Sequence, residues 1–175
     1  EVPLVEIIPL PDPVIEIKGK GNKVTLKHFE DYVAVTRHVV DRVSINDAEL
    51  VFVGYGSVAP EYDWNDYDGL DMKGKVAVVL VNDPGFATQD PNLFNGNAMT
   101  YYGRWTYKYE EAARQGAAGV IIIHNTKPAG YPWGVVQNGW TGSQFNLVAE
   151  DNNLSRCPIE GWITYDKAKE IFDLA

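Results

Sequence analysis

The sequence predicts an α+β fold in which short strands surround one strand–helix–strand unit, and three observations carry that prediction. Val76–Val81 and Gly119–Ile123 are nearly continuous apolar runs, which suit strands buried on both faces. Between them, Trp105, Tyr109, Ala112, Ala113 and Gly116 fall at i, i+4, i+7, i+8 and i+11, the spacing of an amphipathic helix stripe. The first 60 residues break into short apolar segments separated by Pro, Gly and Asn, which is how strands and turns read.

In chain order, Leu4–Pro9, Val14–Lys18 and Val24–Lys27 are strand candidates, parted by Pro11-Asp12-Pro13 and Gly19-Lys20-Gly21-Asn22. The second separator suits a hairpin, because Gly and Asn adopt positive φ cheaply. Glu49–Gly54 alternates less cleanly and reads as a more buried strand, and residues 57–74 read as a long acidic loop. The strand–helix–strand unit follows, with a crossover expected to be right-handed. Ala112, Ala113, Gly116 and Ala117 would let its helix lie close to the sheet. Lys127–Gly142, rich in Gly, Pro and Trp, reads as a structured loop. Phe145–Ala149 and Gly161–Thr164 are closing strands, and Thr164 can cap a helix built on Ala168, Ile171 and Phe172.

Composition excludes several classes of function. With 175 residues the chain has the length of one domain. A net charge of -9 repels nucleic-acid phosphates and anionic lipid. No apolar run approaches the roughly 18–20 residues of a membrane helix. A single cysteine, Cys157, rules out an internal disulfide. The chain opens at Glu1 without an initiator Met or signal segment, and its last helix lacks a Gly or Pro stop. Both ends are therefore expected to be those of a processed product or an internal piece.

Catalytic constellations are scarce. His28, His38 and His124 form no H-E-x-x-H and head no H-x-D, so no metal site is expected from them. Glu110-Glu111 could pair a base with a metal ligand, but adjacent helix residues point about 100° apart. With Lys108 and Arg114 nearby, the pair reads as a solvated helix face. No G-x-S-x-G elbow is present, and Cys157 has no neighbouring His. Gly54-Tyr55-Gly56-Ser57-Val58-Ala59 matches a relaxed dinucleotide fingerprint, but Pro60 and acidic residues follow where a helix N-terminus is needed. An EF-hand placed on Gly69 puts Trp64 and Lys75 at carboxylate positions. An irregular carboxylate cage for calcium remains compatible with the acidic loop. Tyr101-Tyr102-Gly103-Arg104-Trp105 interleaves aromatic and basic groups and could face a ligand, although helical spacing turns Trp105 and Tyr109 toward the core.

The ordered segments then become diagnostic. Gly54-Tyr55-Gly56 with Val58-Ala59-Pro60-Glu61-Tyr62 precedes Lys73-Gly74-Lys75-Val76, and Val81-Asn82-Asp83-Pro84-Gly85 follows. Tyr109-Glu110-Glu111-Ala112-Ala113 leads to Gly116-Ala117-Ala118-Gly119-Val120 and Ile121-Ile122-Ile123-His124. Across residues 47–145 this resembles the protease-associated (PA) domain carried by zinc aminopeptidases and carboxypeptidases of metallopeptidase family 28.

The resemblance implies a β-barrel-like or β-sandwich sheet flanked by helices. It implies residues 1–46 as N-terminal strands leading in, 47–164 as the PA domain, and 165–175 as a helix leading to a catalytic domain outside this sequence. That domain would hold two zinc ions; no catalytic or metal-ligating role falls on this chain. The partners implied are the catalytic peptidase domain of the same polypeptide and its peptide substrate. Carried over by position, Tyr101, Tyr102, Arg104 and Trp105, with Asn138 and Trp140, would face the substrate cleft. The expected function is a non-catalytic lid and cleft module of a zinc exopeptidase, secreted or periplasmic. The alternative is an independent peptide- or glycan-binding module.

Overall fold

The computed structural model describes residues 1–175. Eleven strands run in order β1 (Leu4–Ile7), β2 (Val14–Gly19), β3 (Asn22–Lys27), β4 (Tyr32–Val35), β5 (Leu50–Phe52), β6 (Val58–Ala59), β7 (Trp64–Asn65), β8 (Val76–Leu80), β9 (Gly119–His124), β10 (Gln144–Leu147) and β11 (Ile159–Thr164). The helices are α1 (Pro84–Thr88), α2 (Trp105–Arg114), α3 (Thr126–Ala129), α4 (Trp133–Gly139) and α5 (Tyr165–Phe172). This is the α+β class expected, with several sheets flanked by a few helices.

The central sheet has the order β4-β11-β9-β8-β5. Its β5, β8, β9 and β11 are parallel, and β4 joins antiparallel to β11. The strand–helix–strand unit is β8-α2-β9. Strand periodicity explains the two cores. Val33, Ala77, Val79, Val120, Ile122 and Trp162 face one side, where Tyr109 and Ala112 of α2 and Val136 of α4 cover them. Tyr32, Val78, Ile123 and Ile163 face the other, under Val24 and Leu26 of the β2–β3 hairpin and Ala168 and Ile171 of α5. Both flanking segments thus belong to this packing, since β4 lies within residues 1–46 and α5 within 165–175.

Three readings are corrected and two elements are added. Glu49–Gly54 yields a short strand at the sheet edge rather than a more buried one, with Phe52 half exposed against Phe172 of α5. Residues 57–74 are not merely a loop: β6 and β7 pair around a 3-10 turn at Pro60–Tyr62. Lys127–Gly142 holds most of α3 and all of α4. Asn125 caps α3 through its side chain, and Pro132 precedes the first residue of α4. Trp and Gly density hid these two short helices. Finally, β4 and α1 carry too few residues for a periodic signal. The α1 start is nonetheless marked by Asp83 as N-cap and Pro84 at the first position.

Candidate functional site

The segment leading into α2 is held from below by one buried carboxylate. Asp83, the N-cap of α1 three residues past β8, accepts from Gly85 N through Oδ1 (3.1 Å) and from Thr100 N and Oγ1 through Oδ2 (2.8 and 2.6 Å). That anchor fixes the 3-10 turn Tyr101–Gly103, from which the exposed ring of Tyr101 projects. Its hydroxyl donates to the Glu110 carboxylate (2.9 and 3.0 Å), and its ring meets Tyr107 edge-on. Tyr102 donates to Glu61 (2.8 Å) and sits edge-on against Phe94 and Tyr107. Burial, then Glu61, pushes the Tyr102 phenol up to about 12. Phe94 is fully buried, stacked on Tyr62 at 4.4 Å and edge-on to Trp64. These contacts fasten the loop between α1 and α2 onto the acidic β6–β7 segment.

Arg104 is exposed at the N-terminus of α2. Trp105 is 38% exposed, so helical spacing does not bury it; it leans on Tyr109 and Trp140 at 6.1 and 5.8 Å between centroids. Trp140 is the outlier of the six sequence-derived positions. It is 7% exposed, wedged among Trp105, Tyr109 and Trp162, with the Arg37 guanidinium 5.5 Å over its ring. Asn138 is exposed and donates within its own helix to Gly134 O at 2.7 Å. Tyr101, Arg104 and Trp105 are thus exposed where the chain enters α2, Tyr102 is half-buried against Tyr107 and Phe94, and Trp140 lies beneath Trp105.

The solvated face expected of α2 is half wrong. Glu110 lies outside, but Glu111 and Lys108 are buried. Glu111 is enclosed by Arg114 (2.7 Å), Tyr107 (3.3 Å) and Gln115 (2.8 Å). Lys108 is fully buried, donates to the Tyr55 carbonyl and lies 5.8 Å from the Tyr55 ring. Burial pulls its ammonium down to about 7, against the opposing pull of Asp83 and Asp66. Its place between Tyr107 and Tyr109, three residues after Trp105 and four before Ala112, put it on the buried stripe, but its charge hid this in the sequence. The contact with Tyr55 lies 53 positions away in the chain.

One further buried group, Glu160, escaped the sequence reading. Glu160 on β11 is held between Arg37 and Arg156, each at 3.3 Å, yet burial still raises its carboxyl above the usual range. Cys157 is buried and its thiol is pushed up to about 12, which removes thiolate nucleophilicity at neutral pH. Burial also lowers the imidazoles of His28 and His124. No three His, Cys, Asp or Glu side chains converge as metal ligands. No α-helix follows Gly54–Ala59; the 3-10 turn stands there instead.

Asp83, Lys108, Glu111 and Glu160 are thus engaged within the fold, whereas His28 Nε2 and the Tyr67 hydroxyl are buried without a partner. The PA domain family model matches residues 39–153, and the chain belongs to that family. Among solved structures, the chain is similar to an aminopeptidase from Aneurinibacillus sp. strain AM-1. The match is at 23% identity and a TM-score of 0.41, over 97% of this chain and 29% of that one. The chain thus spans less than a third of that protein's length. No curated protein matches it by sequence.

Proposed function

We propose that this PA domain serves a zinc-dependent exopeptidase, acting beside the catalytic domain of the same polypeptide as a wall and lid of the substrate cleft. Membership of the PA family over residues 39–153 carries the reading. The zinc ions would be held by the catalytic domain, because this chain's own His, Cys, Asp and Glu residues do not gather into a ligand set. The exposed rim of Tyr101, Arg104 and Trp105 suits a peptide. Its rings offer apolar contact at low entropic cost, and its guanidinium can pair with a carboxylate. On the family resemblance alone, we place the domain outside the cytoplasm.

Kinetics of the parent polypeptide test this. Arg104→Ala combined with Trp105→Ala should raise KM for peptides several-fold with little change in kcat, since the rim binds substrate and does no chemistry. The isolated chain, supplied with zinc, should not hydrolyse aminoacyl substrates. Unchanged KM would remove the rim from the cleft, and robust hydrolysis by the isolated chain would overturn the non-catalytic assignment.

A further inference from the structure

The ribbon formed by β1 and β10 lies outside the central sheet and has two unlike faces. Val5, Ile7, Gln144 and Asn146 turn inward, and Asn146 Oδ1 accepts from Arg37 Nη1 at 3.4 Å. Leu4, Glu6, Phe145 and Leu147 turn outward, with Leu4 opposite Leu147 and Glu6 opposite Phe145. A ribbon with one solvated face normally puts its polar residues there. In β10 that order is reversed, with both amides inward and Phe145 and Leu147 outward, and Leu4 of β1 adds a third large apolar side chain to the outer face. Leu4, Phe145 and Leu147 are 58%, 62% and 61% exposed, and Val2 just upstream is 70% exposed. Contiguous apolar surface of this kind marks an interaction site.

Charge specifies what covers it. Residues 1–13 and 143–155 contain Glu1, Glu6, Asp12, Glu150 and Asp151, and no Lys, Arg or His. The complement is a protein surface apolar at its centre and basic at its rim. A second copy of this chain would set acid against acid.

We infer that the outer face of the β1–β10 ribbon is the surface on which the domain docks against its peptidase domain, an inference that rests on the function proposed above. The surface it meets presents an apolar patch edged by Lys and Arg.

The probe is the recombinant peptidase domain of the parent polypeptide, titrated calorimetrically with this chain. Leu4→Ser/Phe145→Ser/Leu147→Ser should weaken binding at least tenfold, and affinity should fall several-fold between low and high salt. The three sites are exposed, so circular dichroism of the variant should match the unaltered chain. If the variant does not fold, hydrogen exchange on the unaltered chain decides: β1 and β10 amides should slow when the peptidase domain is added. Tight binding that leaves both the variant's affinity and the ribbon's exchange unchanged overturns the docking face but spares the functional reading. Absence of any binding overturns both. Ribbon-dependent dimerisation, or ribbon-dependent binding to phosphatidylcholine vesicles, replaces the peptidase domain as occupant and overturns the inference.

Discussion

Lys108 has one hydrogen-bonding partner, the Tyr55 carbonyl, and no contact with water. Asp83 and Asp66 attract its charge, yet desolvation dominates and its ammonium titrates near pH 7 instead of at its ordinary 10.5. The sign of the linkage follows. Between about pH 7 and 10.5 the unfolded chain keeps a proton that the folded chain has lost, so stability rises with pH across that window. It is lowest below pH 7, where both states carry the charge and the fold must bury it. The upper end is cut short first from about pH 9, where the unfolded chain ionises the Cys157 thiol that the fold holds up at about 12, and again near pH 10. There the unfolded chain begins to ionise tyrosines such as Tyr102 and Tyr107, which the fold holds up at about 12. Urea denaturation from pH 7 to 9 should therefore show a rising midpoint. In Lys108→Met, which keeps the length and removes the charge, that rise should largely vanish. An equal slope in both proteins would show that Lys108 is not the titrating group. In the sequence, its charge makes Lys108 look like a helix-surface lysine beside Glu110-Glu111, although its spacing puts it on the buried stripe. What decides its state is a loop distant in sequence that closes over it.

At the scale of elements, the connection from α1 to α2 shows how a long loop is made rigid. Gly85 sits where an added Cβ would lie 2.5 Å from Gly96 O, 2.8 Å from Phe94 O and 2.9 Å from Leu93 O. Only a residue without a side chain lets that loop fold back over α1 and seat Phe94 among Tyr62, Trp64 and Tyr102. Gly85→Ala should unseat Phe94, cost about 2–4 kcal/mol by analogy with loss of a buried aromatic, and expose the loop. Limited proteolysis should then cut within residues 89–98 at least tenfold faster than in the unaltered protein. An unchanged cleavage rate would mean that the loop tolerates the shift. The Asp83-Pro84-Gly85 signal for a helix start was legible in the sequence. The aromatic seat was not, because its members come from three separate stretches of chain. The same holds for the ribbon, since nothing in Leu4–Ile7 names Gln144–Leu147 as its partner.

For the whole molecule, one sheet serves two cores. Adjacent residues of β8, β9 and β11 point to opposite sides, so Val79 and Ile122 cannot lose their packing without disturbing Val78 and Ile123. The protein should therefore unfold as one unit. Trp140 and Trp162 lie in the core under α2, Trp133 packs against it, and no tryptophan belongs to the core under α5. Tryptophan fluorescence thus follows one side and far-ultraviolet circular dichroism follows both. Their denaturation curves should coincide, and separated midpoints would mean that the β2–β3 hairpin and α5 leave first. The sequence by itself determined the α+β class, the β8-α2-β9 unit, most of the strands and the last helix. Apolar periodicity and turn residues are local signals, and these elements express them directly. The ordered motifs were specific enough to reach the PA family. Only the tertiary structure decided which polar residues are buried, that Trp140 lies beneath an exposed Trp105, and that the β1–β10 ribbon leaves Leu4, Phe145 and Leu147 on its outer face. Much of the burial, desolvation and pairing arises between residues far apart in the chain, as for Lys108 with Tyr55 and Glu160 with Arg37, and no short window of sequence contains those partners.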